Sequence, residues 1–201
     1  MTKRPTVVHD PSVLRAITHP LRNRILSELA AQGPLRAADV AADLGIPANQ
    51  ASFHLRQLAK YGLVEDDPEA ARDRRDRVWK LTSPDGLQVD LNDLEQTPEG
   101  RAAGTVFRRN ATQWGHVVVE GAYARDHEPG THRSLTETSL RLTEDEARQL
   151  TGELMDVVDS WRRRTLGRDA SRQTYLYFGV LQPHPAGDPD SPAPEAPDEP
   201  L

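Results

Sequence analysis

Apolar residues recur at helical spacing from Ser12 onward. Leu14, Ile17 and Leu21 step along one face, and Ile25, Leu26 and Leu29 continue it as far as Gly33-Pro34. Asp10-Pro11-Ser12 is a helix start, with Asp10 as N-cap and Pro11 at the first helical position. His19-Pro20 interrupts or divides this helix, because a residue before proline avoids helical geometry. Arg36 to Leu44 predicts a short helix with Val40 and Leu44 inward and small alanines around them, stopped by Gly45. Ile46 pins the following turn. A third helix runs from Ala48 to Tyr61 with Ala51, Leu55 and Leu58 buried, and Gly62 ends it. Leu63-Val64-Glu65 and Arg77 to Leu81 read as paired strands around the charged loop DDPEAARDRRD. Three helices followed by a hairpin with an arginine-rich tip predict a winged helix-turn-helix.

The second half is patterned differently. Residues 83–96 read as a linker, and Thr97-Pro98 opens a long helix to about Asp126. Its seam is Ala103, Val106, Asn110, Trp114, Val117, Gly121 and Ala124, at steps of roughly three and four. Thr138 to Leu142 alternates as a strand does. Thr143 to Glu146 is a capping box, and the helix behind it carries Ala147, Leu150, Leu154, Val157 and Trp161 on one face. Gln173 to Leu181 is a strand pattern. From Pro183 the chain holds five acids and no Lys or Arg, a composition that predicts disorder. The fold class expected is therefore α+β: a winged helix-turn-helix at 10–82, a helix-rich dimerisation or effector domain with short strands at 97–182, and an acidic Pro-rich tail at 183–201.

Composition narrows the function classes. There is no cysteine in 201 residues, which excludes disulfides and thiolate metal sites and fits a reducing cytoplasm. The longest apolar run, at His116 to Val119, is broken by Glu120, so no membrane partner is expected. Net charge is -6, but residues 1–82 carry 13 basic and 10 acidic side chains, and the acid excess lies entirely beyond them. Phosphate contact depends on local charge, so the total does not exclude DNA.

A recognition helix needs short polar groups near its N-terminus and an apolar face behind them. The helix opened by Ala48 offers Asn49, Gln50, Ser52 and Phe53. Asn49 and Gln50 can pair adenine through two bonds, and Phe53 can meet a thymine methyl. Arg56 and Lys60 lie further along, within reach of phosphate. His54 either donates to phosphate or packs against the first helix. In the loop, Arg72, Arg74, Arg75 and Arg77 are the candidate backbone or minor-groove contacts, interrupted by Asp73 and Asp76. The competing reading is a solvated loop of internal ion pairs.

The segment GIPANQASFHLRQLAKYGLVE, with AITHPLRNRILSEL upstream, resembles the ArsR family of bacterial regulators over about residues 12–82. That resemblance implies a homodimeric winged helix that represses transcription from double-stranded DNA and releases it when a small-molecule effector binds. Many relatives of that kind sense metals. Here the cysteine-based sites cannot exist, and of the histidine-based pattern only His116 and His127, eleven residues apart, remain, with Glu120 on the same face. The positions where the family has its other two ligands are Trp114 and Gly130, so no metal site is assigned. The sequence SLRLTEDEARQLTGELMDVVDSW resembles segments that follow such domains and names no ligand.

No phosphate-cradling glycine loop, GxSxG or HExxH is present, so no enzyme and no cofactor is expected. The alternative to a DNA-binding regulator is a winged-helix protein-interaction module without DNA, which the acidic total charge favours. Replacing Arg74 and Arg75 together is expected to flatten the slope of log affinity against log salt by up to about 0.9 per lost phosphate contact. An unchanged slope in a fluorescence-anisotropy titration removes the loop from the footprint.

Overall fold

The computed structural model describes residues 6–71, 77–126 and 129–184. Helix α1 spans Pro11–Ile17, and Asp10 caps it by accepting the Ser12 N–H at 2.7 Å. His19 holds the extended backbone that a following proline requires, and α2 runs from Pro20 to Gln32. A two-residue strand, Leu35–Arg36, leads into α3 (Ala37–Leu44). Gly45 ends α3 in the left-handed region at φ 64°, where a side chain is strained. Helix α4 spans Ala48–Lys60. Gly62, at φ 66°, reverses the chain one residue after the C-cap Tyr61.

Five short strands form two sheets among the described residues. In chain order they are β1 (Thr6–Val8), β2 (Leu35–Arg36), β3 (Val64–Asp66), β4 (Val78–Leu81) and β5 (Leu87–Val89). The wing sheet has the order β2-β4-β3 and is antiparallel throughout, with Leu35 opposite Trp79 and Val64 opposite Leu81. Its core gathers Ile25 and Leu29 of α2, Val40 of α3, Ala51, Leu55 and Leu58 of α4, and Val64 and Trp79 of the hairpin, all buried. The result is a winged helix-turn-helix with short strands and a helical C-terminal region.

Residues 83–96 correct the sequence reading. They fold instead of linking. β5 pairs in parallel with β1, Thr6 against Leu87 and Val8 against Val89. A one-turn helix, α5 (Leu91–Leu94), comes next, capped by Asp90. The segment alternates Leu87, Val89, Leu91 and Leu94 among polar residues, too briefly to stand out as an element. Its partner, β1, lies about eighty positions upstream, where no local periodicity points to it. Leu14, Leu94 and Ala103 close a second small core, with Val89, Leu91 and Phe107 against it.

Helix α6 (Pro98–Tyr123) starts at Thr97, whose hydroxyl accepts the Gly100 N–H at 3.0 Å. The expected seam is only partly used. Gly100, Ala103 and Gly104 are buried, whereas Val106 and Val117 are about half exposed. The docking face turns toward α1 and α5 because both glycines sit where the chain comes closest. Helix α7 (Glu144–Thr165) has the expected capping box: the Thr143 N–H donates to Glu146 Oε2 at 2.8 Å, and Glu146 N–H donates back to the Thr143 hydroxyl. The two segments read as strands, 138–142 and 173–181, join no sheet among the described residues. The acidic tail from residue 185 on lies outside them.

A Cβ on Gly100 runs into the carbonyl oxygen of Leu94, a backbone atom that cannot swing aside. Gly100→Ala is therefore expected to lower stability by about 1–3 kcal/mol. An exposed helical glycine gains about 1 kcal/mol from the same change. Denaturant midpoints of the two proteins check the sign.

Candidate nucleic-acid interface

The docking of α4 decides what it presents. Ala51, Leu55 and Leu58 are fully buried, and this stripe fixes the helix against α2 and α3. The opposite edge is open. Ala48, Asn49, Gln50, Phe53, Arg56 and Lys60 are exposed, and Ser52 is half-buried. Asn49 Oδ1 accepts the Gln50 N–H at 2.9 Å, while the Gln50 side chain remains free to reach outward. The Arg56 Nε donates to the Ser52 carbonyl at 3.1 Å, which lays its guanidinium along the helix. Five polar or aromatic side chains thus line one edge of a rigid helix. Two of them are amides near its start and two are cations nearer its end.

His54 packs inward, one of the two roles that the sequence leaves open. Position 54 falls on the same face as Ala51 and Leu58, so the helix turns it inward, and only 8% of it is exposed. Its ring lies 4.8 Å from that of His19 and 5.3 Å edge-on from that of Phe53. His54 therefore braces Phe53 from behind and joins α4 to the start of α2. The part played by His19 is legible in the chain only as the pairing of the HPLR and HLRQL segments; nothing in helical spacing brings residues 19 and 54 together.

At the base of the wing, Arg77 pairs with Asp66 at 3.0 Å and lies 5.3 Å from the centre of the Trp79 ring. Lys80 sits between Glu65 and Asp67 at 3.7 and 3.6 Å. These pairs pin both strands of the hairpin and hold Arg77 at its root. Arg72, Arg74 and Arg75 lie outside the described residues. So does His127, the second histidine of the metal reading. Among the described residues no three His, Asp or Glu side chains gather as a metal would need.

A cleft of about 380 Å³ opens between α1, α2, the end of β4, β5 and α6. Ile17, Leu26, Leu81, Leu87, Val89 and Phe107 line it, with Asn23 and Ser27 as polar groups on the α2 side. It joins the elements of both cores. Among the described residues no helix is long and apolar enough to cross a membrane.

A family model described as a helix-turn-helix domain matches residues 17–67, from the end of α1 to the first strand of the wing. No curated protein matches the chain. Among solved structures, the chain is similar to the MepR–DNA complex of S. aureus, at 18% identity over 76% of this chain and 86% of that one, with a TM-score of 0.33. It is also similar to the PcaV transcriptional regulator of Streptomyces coelicolor in complex with its natural ligand, at 16% identity over 71% of this chain and 76% of that one, with a TM-score of 0.32. Scores this low leave the assignment to the matched domain and to the geometry above.

The buried histidine has a thermodynamic consequence. Burial, and then the positive neighbours His19 and Arg22, hold His54 below the ordinary imidazole range. His19 is lowered in the same way, by burial first and Arg22 second, against a backbone hydrogen bond that raises it. Arg22 is itself lowered by burial, against the effect of Tyr61, which raises it. A histidine depressed in the folded state binds fewer protons there than in the unfolded chain, so stability is complete above the unfolded value of 6.5 and declines as pH falls below it. Denaturant midpoints between pH 8 and 5 are expected to fall across that window. His54→Leu is expected to lessen the fall, and an equal slope in the variant assigns the effect elsewhere.

Proposed function

We propose that this chain is a sequence-specific DNA-binding transcriptional regulator, acting as a homodimer in the cytoplasm. The observation that carries the reading is the exposed edge of α4. All five side chains there are exposed, and on this reading Asn49 and Gln50 meet base edges with Phe53 beside them, while Arg56 and Lys60 meet the backbone. The matched helix-turn-helix domain supports it. Residues 10–82 serve as the DNA-binding unit and residues 97–182 as the dimerisation and effector unit. Two recognition helices then engage half-sites about 34 Å apart, one turn of the duplex.

The resemblance of residues 12–82 to the ArsR family supports a finer reading, a repressor released by a small effector. The cleft beside α2 supports it too. Its wall is apolar with a few polar groups, and a ligand there touches α1, α2 and α6 at once, so it is able to tilt the DNA-binding unit against the helix behind it. The arginines of the wing add phosphate contacts. The reading assigns no catalytic residue, no cofactor and no metal.

Selection of bound duplexes from a random pool, repeated across salt concentrations, tests the proposal. An inverted repeat with salt-dependent affinity is expected. Gln50→Ala is expected to cost about 1–3 kcal/mol on the selected site and to relax preference at one position of each half-site. Lys60→Ala is expected to weaken all sequences alike and to reduce the salt slope by about 0.9. Failure to retain any duplex at low salt ends this reading in favour of a protein-interaction module.

A further inference from the structure

The C-terminal half of the chain has helices and no interior. Among the described residues beyond Gly104, none is buried. α7 is strongly amphipathic, yet Leu154 is 44% exposed and Val157 and Trp161 are each 57% exposed. A helix gains little from propensity alone and owes its stability to packing of its apolar face. In one copy of the chain that packing is missing.

The two segments flanking α7 show the same lack in the backbone. Residues 131–143 and 172–184 run without turn or bend and join no sheet among the described residues. Thr174 to Leu181 is built from β-formers with large rings on alternating sides. Tyr175, Tyr177 and Phe178 are each about half exposed. The segment touches its own chain through side chains: Thr174 donates to Glu28 at 2.7 Å, the Tyr175 hydroxyl accepts the His132 N–H at 3.1 Å, and the Phe178 ring lies by Gly115. Among the described residues, the backbone of 174–181 makes no backbone hydrogen bond. A straight apolar strand with both edges unpaired is a template for another chain.

Area identifies the size of the missing partner. A compact chain of this length exposes about 9,400 Å², whereas this one exposes 15607 Å². Crediting every residue outside the described set with the surface of an extended chain still leaves about 2,500 Å² of excess. That is the share each partner buries in a large obligate dimer, about 1,000–2,500 Å².

We propose that the C-terminal half completes its core with a second copy of the chain: residues 135–142 and 174–181 pair with their counterparts from the partner into one sheet, and the two α7 helices pack their apolar stripes on it. The second copy is the occupant because it brings matching surfaces. Each protomer offers unpaired strands and a bare helix face, and a twofold axis satisfies both sets at once and closes the assembly. Within one chain, residues 135–142 and 174–181 join no sheet, and side-chain contacts with Glu28 and Gly115 tether 174–181 to α2 and α6 instead. The proposal rests on the homodimeric reading above and assigns its surface.

Sedimentation velocity of the full chain without DNA, together with hydrogen exchange, tests it. The wild type is expected to sediment as a dimer at micromolar concentration, and the amides of residues 174–181 to gain protection as concentration rises. Val157→Glu is expected to halve the sedimenting mass and remove that protection while amides of α4 stay protected. Tyr177→Pro, which deletes one ladder donor, is expected to do the same from the strand side. A monomeric wild type, a dimer that survives both substitutions, or protection independent of concentration overturns the proposal. The last result means that the strands pair within one chain. A monomer that still binds an inverted repeat sinks this assignment alone, whereas a dimer that binds no duplex spares it and sinks the regulator reading.

Discussion

Everything functional in this chain depends on the burial of one stripe of α4. Ala51, Leu55 and Leu58 have no accessible surface. Each leucine so buried stabilises the docked helix by about 1.5–3 kcal/mol before entropy is charged against it. A helix fixed at three points on one face has no rotational freedom left, so its other face is set. Asn49, Gln50 and Arg56 point outward because their neighbours on the helix cannot. Rotation by one position trades Gln50 for Ala51 in the core and leaves a buried amide unsatisfied, which is the stronger penalty. The same stripe carries His54 inside, where its ring lies tilted against that of His19.

α1 couples this unit to the C-terminal helices. Ala16 faces the main core and Leu14 the smaller one, so a seven-residue helix is shared by both. Beyond it, α6 lies so close to α5 that Gly100 admits no side chain. α1 thereby places α6 in contact with the unit that holds α4. From the other end, Arg168 reaches back to Asp39 at 2.6 Å and Asp43 at 3.1 Å on α3. Asp39 is held below the usual carboxylate range, chiefly by its hydrogen bond from Arg36, so it keeps its charge to lower pH than an ordinary carboxylate. The recognition helix is thus framed by contacts from both sides of the chain.

How much of the fold is legible in the sequence depends on how local the governing interaction is. Helix boundaries at Asp10-Pro11, Pro20, Gly45 and Thr143 are plain because caps and proline act within a few residues. The buried stripe of α4 is plain because it repeats at helical spacing. Pairings at long range are not. β1 and β5 are three residues each and meet only because α1 and α5 bring them together. The docked face of α6 departs from its apolar pattern for a related reason. Apolarity alone favours Val106, but closest approach to α5 selects glycine, a residue that periodicity counts as a weakness. The exposure of Asn49, Gln50, Arg56 and Lys60 is legible because exposure on an amphipathic helix is the complement of burial.

The split in charge ties the two halves together. The first 82 residues carry an excess of bases and the rest an excess of acids. Binding to DNA releases counterions and weakens with salt. Within the second half the acid excess lies in residues 83–96 and from 183 on, whereas residues 97–182 hold twelve acids and twelve bases, so assembly through them carries no net repulsion for salt to relieve. On the proposed reading, low ionic strength therefore strengthens the contact with phosphate without opposing the dimer that positions it. The apolar content of residues 174–181 and of α7 is what drives the proposed association. Hydrophobic association does not depend on screening, so the proposed dimer persists over the range of salt in which the bases of the first half are useful.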